Sequence, residues 1–176
     1  TNLIERISER DFSSEQKEMT VLFTDIKGFT TLCENSEPKQ FVIDLNQHFE
    51  LMVSIIRELD GNVNKFIGDA ILVYFEGNNS CTRATEAAHK MIEKSNFNIG
   101  VGISHGELMA GLIGCEERLE YSIIGSVVNK AARLESATRT LDSDLVICDS
   151  TAMKLMTKEF KTFENTKISL KGFEEN

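Results

Sequence analysis

The stretch VNKFIGDAILVYF, residues 63–75, decides the fold class. It consists of two apolar runs, 63–67 and 70–75, which are separated only by Gly68 and Asp69. A glycine-containing pair between two such runs is the setting of a two-residue hairpin turn. We therefore expect two antiparallel strands, with Asp69 presented at the tip of the hairpin that joins them.

Other apolar runs predict further strands on both sides of this hairpin. The run 19–23 is β-branched and aromatic and is followed by Asp25 and Gly28, which predicts a buried strand that meets a turn. Downstream, the pattern predicts a hairpin of strands 98–104 and 108–113 around His105 and Gly106, and a projecting loop over 114–120. The remaining predicted strands are 121–124, 145–148 and 167–170.

Three segments have the apolar spacing of helices. The longest has Ser36 as its predicted N-cap and Pro38 in its first turn, and its apolar residues recur three and four apart as far as Leu59. The others are 82–94 and 127–137, the latter with Ser126 as its predicted N-cap. Because helices mix with hairpin-linked strands without regular alternation, we expect an α+β fold with a largely antiparallel sheet.

Composition narrows the class of protein. The 176 residues, 41% of them hydrophobic, suit one domain with its own core. A net charge of −9 argues against binding to nucleic acid, which draws on clustered Lys and Arg. No apolar run reaches the roughly 18 residues that a membrane helix needs, and no signal peptide is recognisable. The four cysteines form no CxxC pair, so we expect reduced thiols and a cytoplasmic setting.

The start of the chain differs from the rest. Residues 1–17 are polar, with Leu3, Ile4 and Ile7 at helical spacing, and predict a helical linker from an upstream region. The alternative is a frayed end of the chain. One domain then covers residues 18–176, and we expect a connection to a membrane only through that upstream region.

Two carboxylates lie at predicted strand ends and turns. If their strands are neighbours, Asp25 and Asp69 converge at one end of the sheet, where Mg²⁺ binds well to one or two carboxylates plus substrate phosphates. The stretch Lys27-Gly-Phe-Thr30 could hold a phosphate on its backbone N–H groups. The alternative is that both aspartates serve turn chemistry only. No P-loop or GxGxxG segment is present, so a nucleotide site must be built differently.

Three blocks in order carry a family resemblance: VLFTDIKGFT (21–30), KFIGDAIL (65–72) and YSIIGSVVNKAARLE (121–135). Together with ISLKGF (168–173) they resemble the class III nucleotidyl cyclases over roughly residues 17–173. The resemblance implies a ferredoxin-like α+β core, flanked by helices, and a homodimer whose head-to-tail subunits share the active sites.

The resemblance also implies roles for individual residues. Two Mg²⁺ or Mn²⁺ ions would be held by Asp25, Asp69 and the backbone carbonyl of Ile26. The triphosphate would be bound by Gly28, Phe29, Thr30 and Lys171. On one helix face, Asn129 would orient the ribose and Arg133 would stabilise charge on the α-phosphate. Without the motif, Arg133 would be interpreted as a solvated helix charge.

Two residues fall at the family's base-reading positions. Lys65 is typical of adenylyl cyclases, and a lysine can only donate, which suits adenine N1 because guanine N1 is itself a donor. Ser122 departs from the usual residues, and its hydroxyl could accept from the adenine amino group or donate to guanine O6. The sequence therefore predicts an adenylate cyclase that converts ATP to cyclic AMP. The alternatives are a guanylate cyclase and a catalytically weak nucleotide-binding domain of the same fold.

Overall fold

A computed structural model describes residues 14–115 and 118–155. Six strands lie within these residues: β1 (Glu15–Ile26), β2 (Asn62–Ile67), β3 (Ala70–Phe75), β4 (Ile99–Cys115), β5 (Arg118–Ile124) and β6 (Leu145–Ile147). The helices are α1 (Phe29–Asn35), α2 (Pro38–Glu58), α3 (Ser80–Lys94), α4 (Ser126–Ala137) and α5 (Asp149–Ala152). None of these helices is both long enough and apolar enough to cross a membrane.

The strands form one sheet in the order β2-β3-β1-β4-β5, and β6 adds to the free edge of β4 in parallel. All the other pairings are antiparallel. Helices α1 and α2 lie between β1 and β2, and α3 lies between β3 and β4, so the unit from β1 to β4 has the ferredoxin-like arrangement. The expected α+β fold with a largely antiparallel sheet is confirmed, as are the hairpin at Gly68-Asp69 and strand β6.

Strand β1 begins earlier than predicted. Glu15, Gln16 and Lys17 pair with Ala110, Met109 and Leu108 of β4, so the assignment of residues 15–17 to a helical linker is wrong. The reason is non-local: β4 offers a partner for the whole polar start of β1, which no local pattern indicates. Residues 1–13, the rest of the predicted linker, lie outside the described residues.

Strand β4 is continuous, so the predicted hairpin at His105-Gly106 is wrong. His105 and Gly106 pair with Thr20 and Met19 inside an unbroken ladder along β1. The predicted loop over 114–120 is also wrong, because Gly114 and Cys115 pair with Leu119 and Arg118 as the end of the β4–β5 hairpin. The predicted strand 167–170 lies outside the described residues.

Two predicted helix caps are replaced by their neighbours. The carboxylate of Glu37, rather than the hydroxyl of Ser36, caps α2 by accepting hydrogen bonds from the backbone N–H groups of Lys39 and Gln40. Gly125 is the N-cap of α4, and Ser126 is its first helical residue. Helix α3 begins two residues before the predicted start.

Helices cover both faces of the sheet. Helices α2 and α3 pack on one face, where a core of 15 buried residues includes Leu22, Ile56 and Phe75. Helix α4 packs on the opposite face over Val21, Leu72 and Ile123. Because side chains alternate along a strand, Asp25 shares the α4 face with Val21 and lies at the end of β1.

Helix α4 lies very close to β4. A Cβ atom at Gly102 would come within 2.2 Å of both the Ala131 carbonyl oxygen and the Glu135 backbone nitrogen. At Gly100, which pairs with Asp25, a Cβ atom would come within 2.6 Å of the Glu135 carboxylate. The two glycines therefore let the end of α4 approach Asp25.

Candidate active site

Asp25 and Asp69 are brought together at one end of the sheet. Asp25 is the penultimate residue of β1, and Asp69 lies in the turn between β2 and β3, which is the neighbour of β1. The backbone N–H of Ile26 donates a hydrogen bond of 3.3 Å to the Oδ2 atom of Asp69. The convergence expected from the sequence is therefore present within a single chain.

The two carboxylates affect each other electrostatically. Burial, and then the adjacent carboxyl of Asp25, raises the pKa of Asp69 from 3.8 to about 6. The Ile26 N–H opposes this rise by donating to the charged form. A pair of acids held this close has excess negative charge, which a divalent cation with oxygen ligands can neutralise.

A cation of the chain itself contacts Asp25, one member of this pair. The Nη2 atom of Arg139 donates to Oδ2 of Asp25 at 2.9 Å, and its Nη1 atom donates to Oε1 of Glu135 at 2.7 Å. Burial raises the pKa of Glu135, and the Arg139 guanidinium opposes that rise. Neither residue was predicted from the sequence, where the only local indication is their i, i+4 spacing across the end of α4.

The loop after β1 leads directly into α1. Gly28 has φ of 73°, in the left-handed region that favours glycine, and it occupies the N-cap position of this short helix. A Cβ atom at Gly28 would meet no atom within 4 Å. Phe29 packs on Phe41 with ring centroids 5.5 Å apart, whereas Thr30 is exposed. The turn thus has an anchored aromatic side chain and an open backbone.

Lys27 closes the outer side of this turn. Its Nζ atom lies 2.6 Å from Oδ1 of Asp144 and donates to the carbonyl oxygen of Ser143 at 3.1 Å. Its backbone N–H donates to the carbonyl oxygen of Asn98. The segment before β6 therefore holds the start of the 27–30 turn.

Lys65 and Ser122 contact each other. The Nζ atom of Lys65 donates to Oγ of Ser122 at 3.2 Å, and Asn64 donates to the carbonyl oxygen of Tyr121 at 2.9 Å. The register of β2 shifts between Val63 and Lys65, so Asn64 forms a bulge that lets two consecutive side chains reach β5. The sheet thus curls until β2 and β5 touch, which the sequence did not predict.

The remaining predicted residues occupy other positions. Asn129 and Arg133 lie one turn apart on α4, the former exposed and the latter half-buried. Lys171 lies outside the described residues. Among the described residues, no group of three or more His, Cys, Asp or Glu side chains is arranged to hold a metal ion. Any metal bound by Asp25 and Asp69 would therefore need further oxygen ligands from backbone, substrate or water.

Comparisons with known proteins agree on one family. The family described as "Adenylate and Guanylate cyclase catalytic domain" matches residues 12–176. An adenylate cyclase of Anabaena cylindrica is 30% identical in an alignment of 163 residues, which covers 84% of this chain but only 32% of that protein. The chain therefore spans a minor part of that relative's length.

Two solved structures resemble almost the whole chain. The adenylyl cyclase CyaB from P. aeruginosa superposes with a TM-score of 0.83 at 28% identity, covering 93% of this chain and 92% of that one. The guanylyl cyclase Cya2 superposes with a TM-score of 0.80 at 26% identity, covering 92% and 89%. Enzymes named for either purine nucleotide are thus among the similar structures.

Proposed function

Because this chain belongs to the family of adenylate and guanylate cyclase catalytic domains, we propose that it converts ATP to cyclic AMP and pyrophosphate. The observation that carries the choice of ATP is the contact between Lys65 and Ser122. This contact keeps the lysine ammonium at one place, where it can donate to adenine N1. The Ser122 hydroxyl uses one lone pair to accept from Lys65. Its second lone pair remains available to accept from the adenine amino group.

The second candidate is a guanylate cyclase. It is favoured by the likeness to the guanylyl cyclase Cya2 and by the ability of both Lys65 and Ser122 to donate to guanine O6. Against it, the N1–H of guanine would face an ammonium that cannot accept a hydrogen bond. A buried donor without an acceptor costs about 1–3 kcal/mol, which supports the assignment to ATP.

The donor set at the sheet end fits divalent metal ions. Asp25 and Asp69 supply two hard carboxylate ligands with excess negative charge. The backbone carbonyl of Ile26, the residue directly after Asp25, would be a further oxygen ligand. These residues would hold two Mg²⁺ or Mn²⁺ ions. Bound there, the ions would supply Lewis-acid chemistry, lowering the pKa of the ribose 3′-hydroxyl and offsetting the triphosphate charge.

The reaction is an intramolecular displacement. The 3′-oxygen of the ribose bonds to the α-phosphorus, the bond from that phosphorus to the pyrophosphate oxygen breaks, and the hydroxyl proton passes to solvent. The backbone N–H groups of Gly28, Phe29 and Thr30 hold the phosphates, with Lys171 as an added cation. Asn129 orients the ribose, and Arg133 stabilises the negative charge that grows on the α-phosphate.

We further propose that two copies of the chain share each site in a head-to-tail homodimer. One copy would contribute the aspartates and the 28–30 turn, and the other would contribute Lys65, Ser122, Asn129 and Arg133. Large apolar side chains that are exposed in the single chain support this arrangement, because an interface would bury them. They include Phe66 and Ile67 on β2, each 49% exposed, and Ile124 on β5, 53% exposed.

A direct assay tests the function. Purified protein with Mn²⁺ or Mg²⁺ is given ATP and GTP in parallel, and cyclic nucleotide and pyrophosphate are measured. We expect cyclic AMP as the main product and its loss in the Asp69→Asn variant. Production of cyclic GMP alone would replace the first candidate by the second, and turnover of neither nucleotide at high protein concentration would refute both.

A further inference from the structure

Arg139 links a buried carboxylate to a candidate metal carboxylate. It lies two residues beyond the end of α4, and its two terminal nitrogens have different partners: Nη1 contacts Glu135 and Nη2 contacts Asp25. The close packing of α4 on Gly100 and Gly102 fixes Glu135 next to Asp25. The guanidinium is therefore held where it contacts the Oδ2 atom of Asp25.

The two bonds differ in their surroundings. The Glu135 side chain is 3% exposed, so its charge requires a partner inside the protein. The Asp25 side chain is 27% exposed and can be solvated or bind another cation. Arg139 itself is 39% exposed, which leaves room for its side chain to turn. Release of Asp25 therefore leaves no buried charge unpaired, because the Glu135 bond persists.

We propose that Arg139 is a positioning residue that occupies Asp25 in the metal-free protein and yields this carboxylate to an incoming divalent cation while remaining bound to Glu135. The inference rests on the proposed function, since it takes Asp25 as a metal ligand. In the metal-free state the guanidinium offsets the repulsion between Asp25 and Asp69 and holds Asp25 in place. Metal binding and the Arg139–Asp25 bond then compete for the same oxygen.

The competition predicts that loss of the guanidinium strengthens metal binding. A neutral side chain at position 139 neither blocks Asp25 nor repels the cation. We expect the dissociation constant for Mn²⁺ to fall roughly five- to tenfold in Arg139→Gln, the effect of a unit charge a few ångströms away in partly solvated surroundings. A residue that merely supported the fold would weaken metal binding when removed.

The experiment measures Mn²⁺ binding without nucleotide, from the loss of the electron paramagnetic resonance signal of free Mn²⁺. Lys90→Gln is the control, because it makes the same change of net charge on α3, where the partners of Lys90 are Glu58 and Glu86 rather than Asp25. The Glu135→Gln/Arg139→Gln double variant removes the pair without changing the net charge and keeps the buried position neutral. If the single Arg139 variant does not fold, this double variant still tests the proposal.

Tighter Mn²⁺ binding by both Arg139 variants, with Lys90→Gln changed by less than about twofold, supports the proposal. Unchanged or weaker binding by the Arg139 variants overturns it, and so does an equal gain in Lys90→Gln, which would indicate a diffuse effect of charge. Asp69→Asn in the otherwise natural protein must weaken Mn²⁺ binding. If it does not, the proposed metal site fails, and that failure is distinct from a failure of the role of Arg139.

Discussion

The ammonium of Lys65 and the hydroxyl oxygen of Ser122 lie 3.2 Å apart, although 57 residues separate them in the chain. Lys65 reaches Ser122 because a bulge in β2 turns its side chain toward β5. Their contact makes the two positions one unit, so substitutions at them should act together rather than independently.

Replacing the donor at position 65 by an acceptor, together with a change at Ser122, tests whether this pair selects the base. We expect Lys65→Glu/Ser122→Cys to lower the ratio of ATP to GTP turnover by about a hundredfold or more, because the glutamate accepts from guanine N1 and meets the lone pair of adenine N1. The ratio of kcat/KM values for the two nucleotides measures the effect. Lys17→Glu makes the same change of charge at the far end of β1 from Asp25 and should leave the ratio unchanged.

The raised pKa of Asp69 predicts a pH dependence of stability in metal-free protein. A carboxyl whose pKa is raised in the folded state binds its proton more tightly there than when unfolded. Its stabilising effect is therefore present at low pH and is lost as pH rises from about 3.8 through about 6.

We expect Asp69→Asn to raise Tm by about 2–4 °C near pH 8, where the natural residue is charged and repelled by Asp25. At pH ~4.5 the substitution should change Tm little, because Asp69 is then largely protonated in the folded protein. Thermal unfolding across this range measures the difference. An equal change of Tm at both ends would contradict the coupling between the two aspartates.

The proposed shared site predicts complementation between inactive variants. In a mixture of Asp25→Asn and Arg133→Ala, each mixed dimer has one site that carries both defects and one that carries neither. Random exchange of subunits should therefore restore about a quarter of the natural activity. In the control mixture of Asp25→Asn with Asp69→Asn, each site of a mixed dimer takes its aspartates from one subunit and carries one of the two defects, so the mixture should restore no activity. Equal activity of the two mixtures would exclude sharing.

The close approach of α4 to β4 predicts a strong effect of Gly102→Ala. The added methyl group would meet two backbone positions of α4, which can yield only if the helix shifts, so we expect a loss of about 3 kcal/mol in the free energy of unfolding. Gly77→Ala has open space and carries only the left-handed backbone cost of about 1–2 kcal/mol. Denaturant unfolding should therefore rank Gly102→Ala as the more damaging change.

The sequence was informative where the determinants are local. The hairpin with Asp69 at its tip follows from two apolar runs and a two-residue turn, and the long helix follows from Pro38 and its apolar spacing. Around His105-Gly106 the same local reasoning failed, since pairing with β1 outweighs the tendency of glycine to turn the chain. Asp25 and Arg139 are 114 residues apart, so no local pattern could indicate their contact.

The unbroken strand β4 has a consequence for how this domain can evolve. Gly100 and Gly102, near the start of β4, allow α4 to pack closely on the strand. Gly111, further along β4, pairs with Ser122. Each residue of a strand adds about 3.3 Å, so the distance along β4 between Gly100, which pairs with Asp25, and Gly111, which pairs with Ser122, is set by the number of residues between these glycines. Insertions or deletions there should be selected against, while changes of residue type that keep the length should be tolerated.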